Sequence, residues 1–110
     1  MTFNLEFLAL NCTSPNGARA RAIVGFGSDG SMWFEPQDIG IGPEHGPALA
    51  RYPGPRLLFN ATSRRTYVNA LAVVETIADP AARRRWLANV EHTLTQYQCL
   101  KQKYDTFRNN

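Results

Sequence analysis

A chain of 110 residues with 44% hydrophobic content is sized for one domain that buries its own core, so metal or disulfide staples are not required. Its formal charge of +3 and isoelectric point near 9.2 favour an acidic partner such as nucleic acid, and its longest apolar runs are far too short to cross a bilayer. The charge is uneven: residues 1–60 sum to −1 and residues 61–110 to +4.

The chain opens with strand alternation. Residues 3–10 place Phe3, Leu5, Phe7 and Ala9 on one face, which is expected to face the core. The stretch from Cys12 to Gly17 holds Pro-Asn-Gly turn chemistry. From Ala18 to Phe26 a second strand turns Ala20, Ala22, Val24 and Phe26 inward and Arg19 and Arg21 the opposite way. Gly27 to Gly30 then reverses the chain into a third strand, Ser31 to Glu35, completing an antiparallel meander.

Between Pro36 and Pro55, proline and glycine fill nine of twenty positions, which forbids a long helix. At most a short helical turn is expected there, from about Glu44 to Tyr52. Leu57 to Phe59 can add a fourth strand. Thr62 or Ser63 then reads as the N-cap of a helix whose apolar stripe is Tyr67, Leu71, Val74 and Ala78.

Asp79-Pro80 starts the last and longest helix, roughly Pro80 to Thr106, because an Asp cap accepts from free amides and Pro at the first position lacks only an unpaired donor. Trp86, Val90, Thr93, Tyr97, Leu100, Tyr104 and Phe107 recur four and three apart, a heptad-like seam with one polar interruption. That seam packs either on this chain's own sheet and first helix or, through its tyrosine- and lysine-rich end, on a second copy. Trp33, Tyr97, Lys101, Tyr104 and Phe107 are the interface candidates.

The expected architecture is therefore α+β and a single domain, 1–110. It comprises a three- or four-stranded antiparallel meander, a Pro/Gly-rich loop and two C-terminal helices, the last one long. Cys12 and Cys99 lack any C-x-x-C spacing, which argues against a zinc ribbon. The opening residues lack the basic and apolar regions of a secretory signal, so reduced thiols and a cytoplasmic location are expected.

No set of residues points to catalysis, a metal or a cofactor. His45 and His92 lack a neighbouring carboxylate or cysteine at ligand spacing, and Cys12 reads either as a packed thiol or as a thiolate paired with one of the histidines. The GFGSDG run from Gly25 to Gly30 has glycines at dinucleotide-loop spacing but leads into a strand, where no helix N-terminus would meet a pyrophosphate. Trp33, Phe34 and Tyr52 read either as a base-stacking platform or as core.

Arg64 and Arg65 with Arg83, Arg84 and Arg85 are the nucleic-acid or partner-binding candidates, because guanidinium forks match phosphate oxygens. The alternative is a solvated helix face contributing little.

The segment GSMWFEPQDI, then Thr66-Tyr67-Val68-Asn69 and Pro80-Ala-Ala-Arg-Arg-Arg-Trp86-Leu87, resembles in order the motifs of the BRO-N domain of phage antirepressor-like proteins. That resemblance implies an α+β, DNA-associated regulatory module with Trp33, Phe34, Asp38 and Trp86 at matching positions. The chain departs from the family where Ile-Gly-Ile-Gly-Pro replaces the helix after Asp38. The expectation is a small non-enzymatic regulatory protein of phage type. It binds nucleic acid through the five arginines, as a homodimer joined by the last helix. The alternative is an inhibitor or adaptor that docks on a host protein or nucleoprotein complex, for example an anti-defence protein, and blocks its working surface.

Overall fold

The computed structural model describes residues 4–109, with side chains from 4 to 103. Strand β1 (Leu5–Thr13) pairs antiparallel with β2 (Arg19–Gly27) across a turn in which Gly17 takes a φ of +90°, the left-handed region where a missing Cβ removes the steric penalty. A second turn at Gly27–Gly30 leads into β3 (Met32–Phe34). The remaining strands, β4 (Leu57–Asn60) and β5 (Arg65–Asn69), form another hairpin, and β5 pairs with β3. The sheet order is β1-β2-β3-β5-β4, so β1 and β4 are the two edges.

The α+β class, the β1-β2-β3 meander and the long last helix are as the sequence indicates. The segment after Asn60 differs. Residues 61–64 form the β4–β5 turn, with Arg64 at φ 58°; Tyr67 and Val68 are both buried, on opposite faces of the sheet. Where a first C-terminal helix is expected, the chain makes β5 and a 3-10 turn, Ala72–Thr76. The sheet has five strands for the same reason. Tyr67, Leu71, Val74 and Ala78 fit helical spacing, but Thr66-Tyr67-Val68 also fits a strand, and pairing with both β3 and β4 decides the matter.

The Pro/Gly segment follows its composition. It contains 3-10 turns at Pro36–Ile39 and Pro43–His45 and a four-residue helix, α1 (Gly46–Leu49). Ile39, Ile41 and Leu49 anchor it in the core. Asp38 protects sheet backbone here: beyond the short β3, its Oδ2 accepts the Ile23 N–H of β2 at 3.3 Å.

Helix α2 (Pro80–Asn109) is 30 residues long, about 45 Å at ~1.5 Å per residue. Its cap is the expected one, with Asp79 Oδ2 accepting the Ala82 N–H at 3.0 Å. The seam packs on this chain's own sheet from Trp86 to Tyr97. Trp86 meets Phe34 at 5.3 Å between ring centroids and donates its indole N–H to the Ala70 carbonyl at 2.9 Å. Thr93 is fully buried and returns its hydroxyl to the Asn89 carbonyl, which is how the polar interruption is accommodated. Tyr97 stacks on Phe26 at 4.0 Å. Leu100 is 47% exposed, so the seam loses its cover there; the side chains of Tyr104 and Phe107 lie outside the described residues.

The inward face of β1 is the reverse of the expected one. Leu8, Leu10 and Cys12 face the helix side and join the core, whereas Ala9 is exposed and Leu5 and Phe7 are half-buried on the other face; Phe3 lies outside the described residues. In Leu5-Glu-Phe-Leu-Ala-Leu10 both parities carry apolar residues, so alternation alone does not choose. The hairpin register chooses by setting Leu8 opposite Val24 and Leu10 opposite Ala22, both buried.

Candidate functional site

The two faces of the sheet distribute the candidate residues. One face is covered by α2 and the 3-10 segments. The other, here the open face, carries Leu5, Phe7, Arg19, Arg21, Ile23, Trp33, Glu35, Arg65 and Tyr67 by strand register.

The five candidate arginines do not form one surface. Arg65 lies on the open face, where its Nη1 donates to both oxygens of the buried Glu35 carboxylate at 2.9 and 3.0 Å. Glu35 also accepts from Gln37 Nε2 at 2.6 Å. Arg64 directly precedes Arg65, in the β4–β5 turn. Arg83 to Arg85 belong to the first turns of α2 on the covered face, and Arg83 is half-buried with its Nε bonded to the Ile77 carbonyl. Trp86 is tied to Ala70, five residues from Arg65, roughly 16 Å along the strand at ~3.3 Å per residue. Arg84 and Arg85 alone of the triplet are exposed, and no described carboxylate pairs with them.

Trp33 is 4% exposed and bonds its indole N–H to Ser31 Oγ at 2.8 Å, and Phe34 is fully buried. Both are packing residues, which removes the stacking platform. Tyr97 and Lys101 face β1: the Tyr97 hydroxyl donates to Glu6 Oε2 at 2.8 Å, and Lys101 Nζ lies 3.6 Å from Glu6 Oε1. Burial, and then the Glu6 carboxylate, push the Tyr97 hydroxyl above its usual pKa.

Cys12 is buried, and its pKa is raised by desolvation and then by the charge of Asp38, so near neutrality it is a thiol rather than a nucleophilic thiolate. Among the described residues no three His, Cys, Asp or Glu side chains cluster as metal ligands, and no helix is long and apolar enough to cross a membrane.

Two surfaces missed in the sequence lie at the sheet edges. On β4, the Asn69 N–H donates to the Arg56 carbonyl, which fixes the pairing phase: Leu57 and Phe59 aim their backbone groups away from β5. Their side chains are also 52% and 63% exposed. On β1, the bonds Ser14 N to Ala18 O and Ser28 N to Asn4 O assign even-numbered residues to the β2 ladder. The N–H and C=O groups of Leu5, Phe7, Ala9 and Asn11 therefore point outward, unpaired among the described residues. Thr13, next in phase, is capped by Asn89 Oδ1 at 3.0 Å, a contact 76 residues apart that no local sequence signal announces. The amide nitrogen of Asn89 is buried without an acceptor.

Beside that edge runs a groove of about 540 Å³, lined by residues 11–13 and 19–21 of the hairpin and by Asn89, His92 and Gln96 of α2. None of these side chains is acidic. No family model matches the chain, and no curated protein or solved structure matches it.

Proposed function

We propose that this chain is a small non-enzymatic regulatory protein that docks on a protein partner and covers part of its surface, as an inhibitor or adaptor. One observation carries the reading: Leu57 and Phe59 present exposed apolar side chains on a strand whose outward backbone groups are also unpaired among the described residues. Native sheets ordinarily blunt such an edge with charge, bulges or cover. Here β4 is short and follows Pro55, but the two large side chains on its rim are apolar, as in surfaces that accept a partner. Arg56 and Arg64 flank the strip and supply arginine of the kind enriched at interface hot spots.

Phe59→Asp tests it. The side chain is already in solvent, so the fold is retained; capture of a defined protein from nuclease-treated host lysate is expected to fall at least about thirtyfold, one hot spot's worth. Capture that survives Phe59→Asp and Leu57→Asp together overturns the reading.

A second reading, nucleic-acid binding, is favoured by Arg84 and Arg85, which are exposed and without a described acid partner. Phosphate neutralisation makes affinity fall linearly with salt on logarithmic axes. Binding to duplex DNA with that salt slope, weakened by Arg84→Ala with Arg85→Ala, supports it; an affinity indifferent to salt excludes it. A phage or mobile-element origin rests on the sequence resemblance alone.

A further inference from the structure

We propose that the β1 edge binds an acidic segment of a partner protein in extended conformation, added as a sixth strand beside Leu5–Asn11. This goes beyond the β4 reading and does not depend on it. Four residues, Leu5, Phe7, Ala9 and Asn11, offer outward N–H and C=O groups in uninterrupted alternation. An antiparallel strand uses all of them. The Asn89 cap on Thr13 ends the free run at one side, so the edge admits a strand of about seven residues, near the usual strand length.

The charge around this edge selects the partner. Arg19 and Arg21 are exposed, lie in register with Thr13 and Asn11, and pair with no described carboxylate. Arg21 leans outward over β1, its Nη1 3.5 Å from Asn11 Oδ1. The nearby Asp38 is occupied by the Ile23 N–H. An added strand carrying glutamate or aspartate on the open face sets its carboxylates beside both guanidiniums, where bidentate bonds form.

A second copy of this chain fits less well. Pairing β1 with itself about Leu8 satisfies the backbone but brings no acid to the arginines, because Glu6, the one acidic residue of β1, faces the helix side and is held by Tyr97 and Lys101.

The test uses the intact chain and two labelled nine-residue peptides, one alternating valine with glutamate and the other valine with lysine, followed by fluorescence anisotropy. The glutamate peptide is expected to bind saturably and the lysine peptide not to bind. Ala9→Pro removes one outward N–H while sparing the β2 ladder, and is expected to weaken binding at least tenfold. Should that variant fail to fold, Arg19→Glu with Arg21→Glu, both at exposed positions, keeps the test alive: it is expected to exchange the preference, binding the lysine peptide instead. Phe59→Asp leaves this binding unchanged, which separates the edge from β4. Equal binding of both peptides overturns the proposal, as does no binding of either. Sedimentation showing a dimer abolished by Ala9→Pro, with no peptide binding, also overturns it in favour of self-pairing.

Discussion

The two faces of one sheet hold together by different means. On the covered face, Val24, Phe34, Val68 and Trp86 are excluded from water almost completely, and cohesion comes from apolar area closed over by α2 and the 3-10 segments. On the open face no helix packs among the described residues, so the side chains cover one another: Phe7 and Tyr67 meet at 5.0 Å between centroids, and the buried Glu35 gathers Arg65 and Gln37. One layer is sealed by another element and the other by its own rim. The sealed face supplies rigidity, which leaves the strand edges and the open face as the surfaces that can change partners.

The largest test of that contrast is at the centre of the sealed face. Trp86→Ala removes a side chain 2% exposed, its packing on Phe34 and its bond to the Ala70 carbonyl. A loss of about 3–5 kcal/mol is expected from cavity formation and the unpaired carbonyl, enough to unfold much of a marginal domain. Urea denaturation followed by circular dichroism measures it. A loss below about 1 kcal/mol would mean that α2 is dispensable to the sheet.

On the open face the critical absence is a side chain. Phe7 lies across Gly25, where an added Cβ would stand 3.0 Å from the Phe7 ring and 3.5 Å from Leu5. Gly25→Ala therefore lifts the ring off β2 and away from Tyr67. About 1–2 kcal/mol of destabilisation is expected from overpacking, less than at Trp86 because Phe7 has solvent on one side to move into. Leucine in place of Phe7, added to Gly25→Ala, is expected to restore part of the loss by accommodating the new methyl.

Glu35→Ala probes the polar half of the same face. Arg65 keeps its charge in water, its side chain being 57% exposed, while the carboxylate is nearly buried. The pair is thus worth less than a fully buried one, and about 1 kcal/mol is expected to be lost after solvent screening. Adding Arg65→Ala to Glu35→Ala then costs little more, since no buried charge is left behind. A double-mutant cycle reads the coupling directly.

Much of this contrast was legible in the residues. The Pro-Asn-Gly turn, the Ala-Arg alternation of β2 and the Asp79-Pro80 cap each have one local solution, and each appears where the sequence places it. Local pattern failed where two periods fitted equally well. Leu5 to Leu10 is apolar on both parities, and Tyr67 to Ala78 satisfies helical spacing while Thr66-Tyr67-Val68 satisfies a strand. In both cases pairing with another strand decided the outcome, β2 of the same hairpin in the first and β3 together with β4 in the second. The arginines failed for a different reason. Spacing says how side chains spread around one element but not which face of a sheet receives them, and Glu35, thirty residues before Arg65, could not be matched to it from spacing. The edge groove joins β1 to α2 over a longer separation still, 76 residues between Thr13 and Asn89.

The smallest expected effect lies where the two regions meet, at the end of β1. Tyr97 stacks on Phe26 from the sealed side, while its hydroxyl reaches Glu6 beside the free edge. Its pKa is raised, chiefly by burial and next by the Glu6 carboxylate, while Lys101 opposes the shift. A phenol whose folded pKa exceeds its unfolded value of 10.0 binds its proton more tightly in the native chain. That contribution to stability is complete below pH 10 and disappears as pH climbs through the folded value. Ultraviolet titration of the native chain is expected to show the Tyr97 phenol ionising later than in the unfolded chain. Tyr97→Phe removes the late step and flattens the alkaline loss of stability, yet keeps the stack on Phe26. Glu6→Gln brings the step nearer its ordinary position without abolishing it, because burial persists. If Glu6→Gln erased the delay completely, the carboxylate rather than the packing of α2 on β2 would be its source.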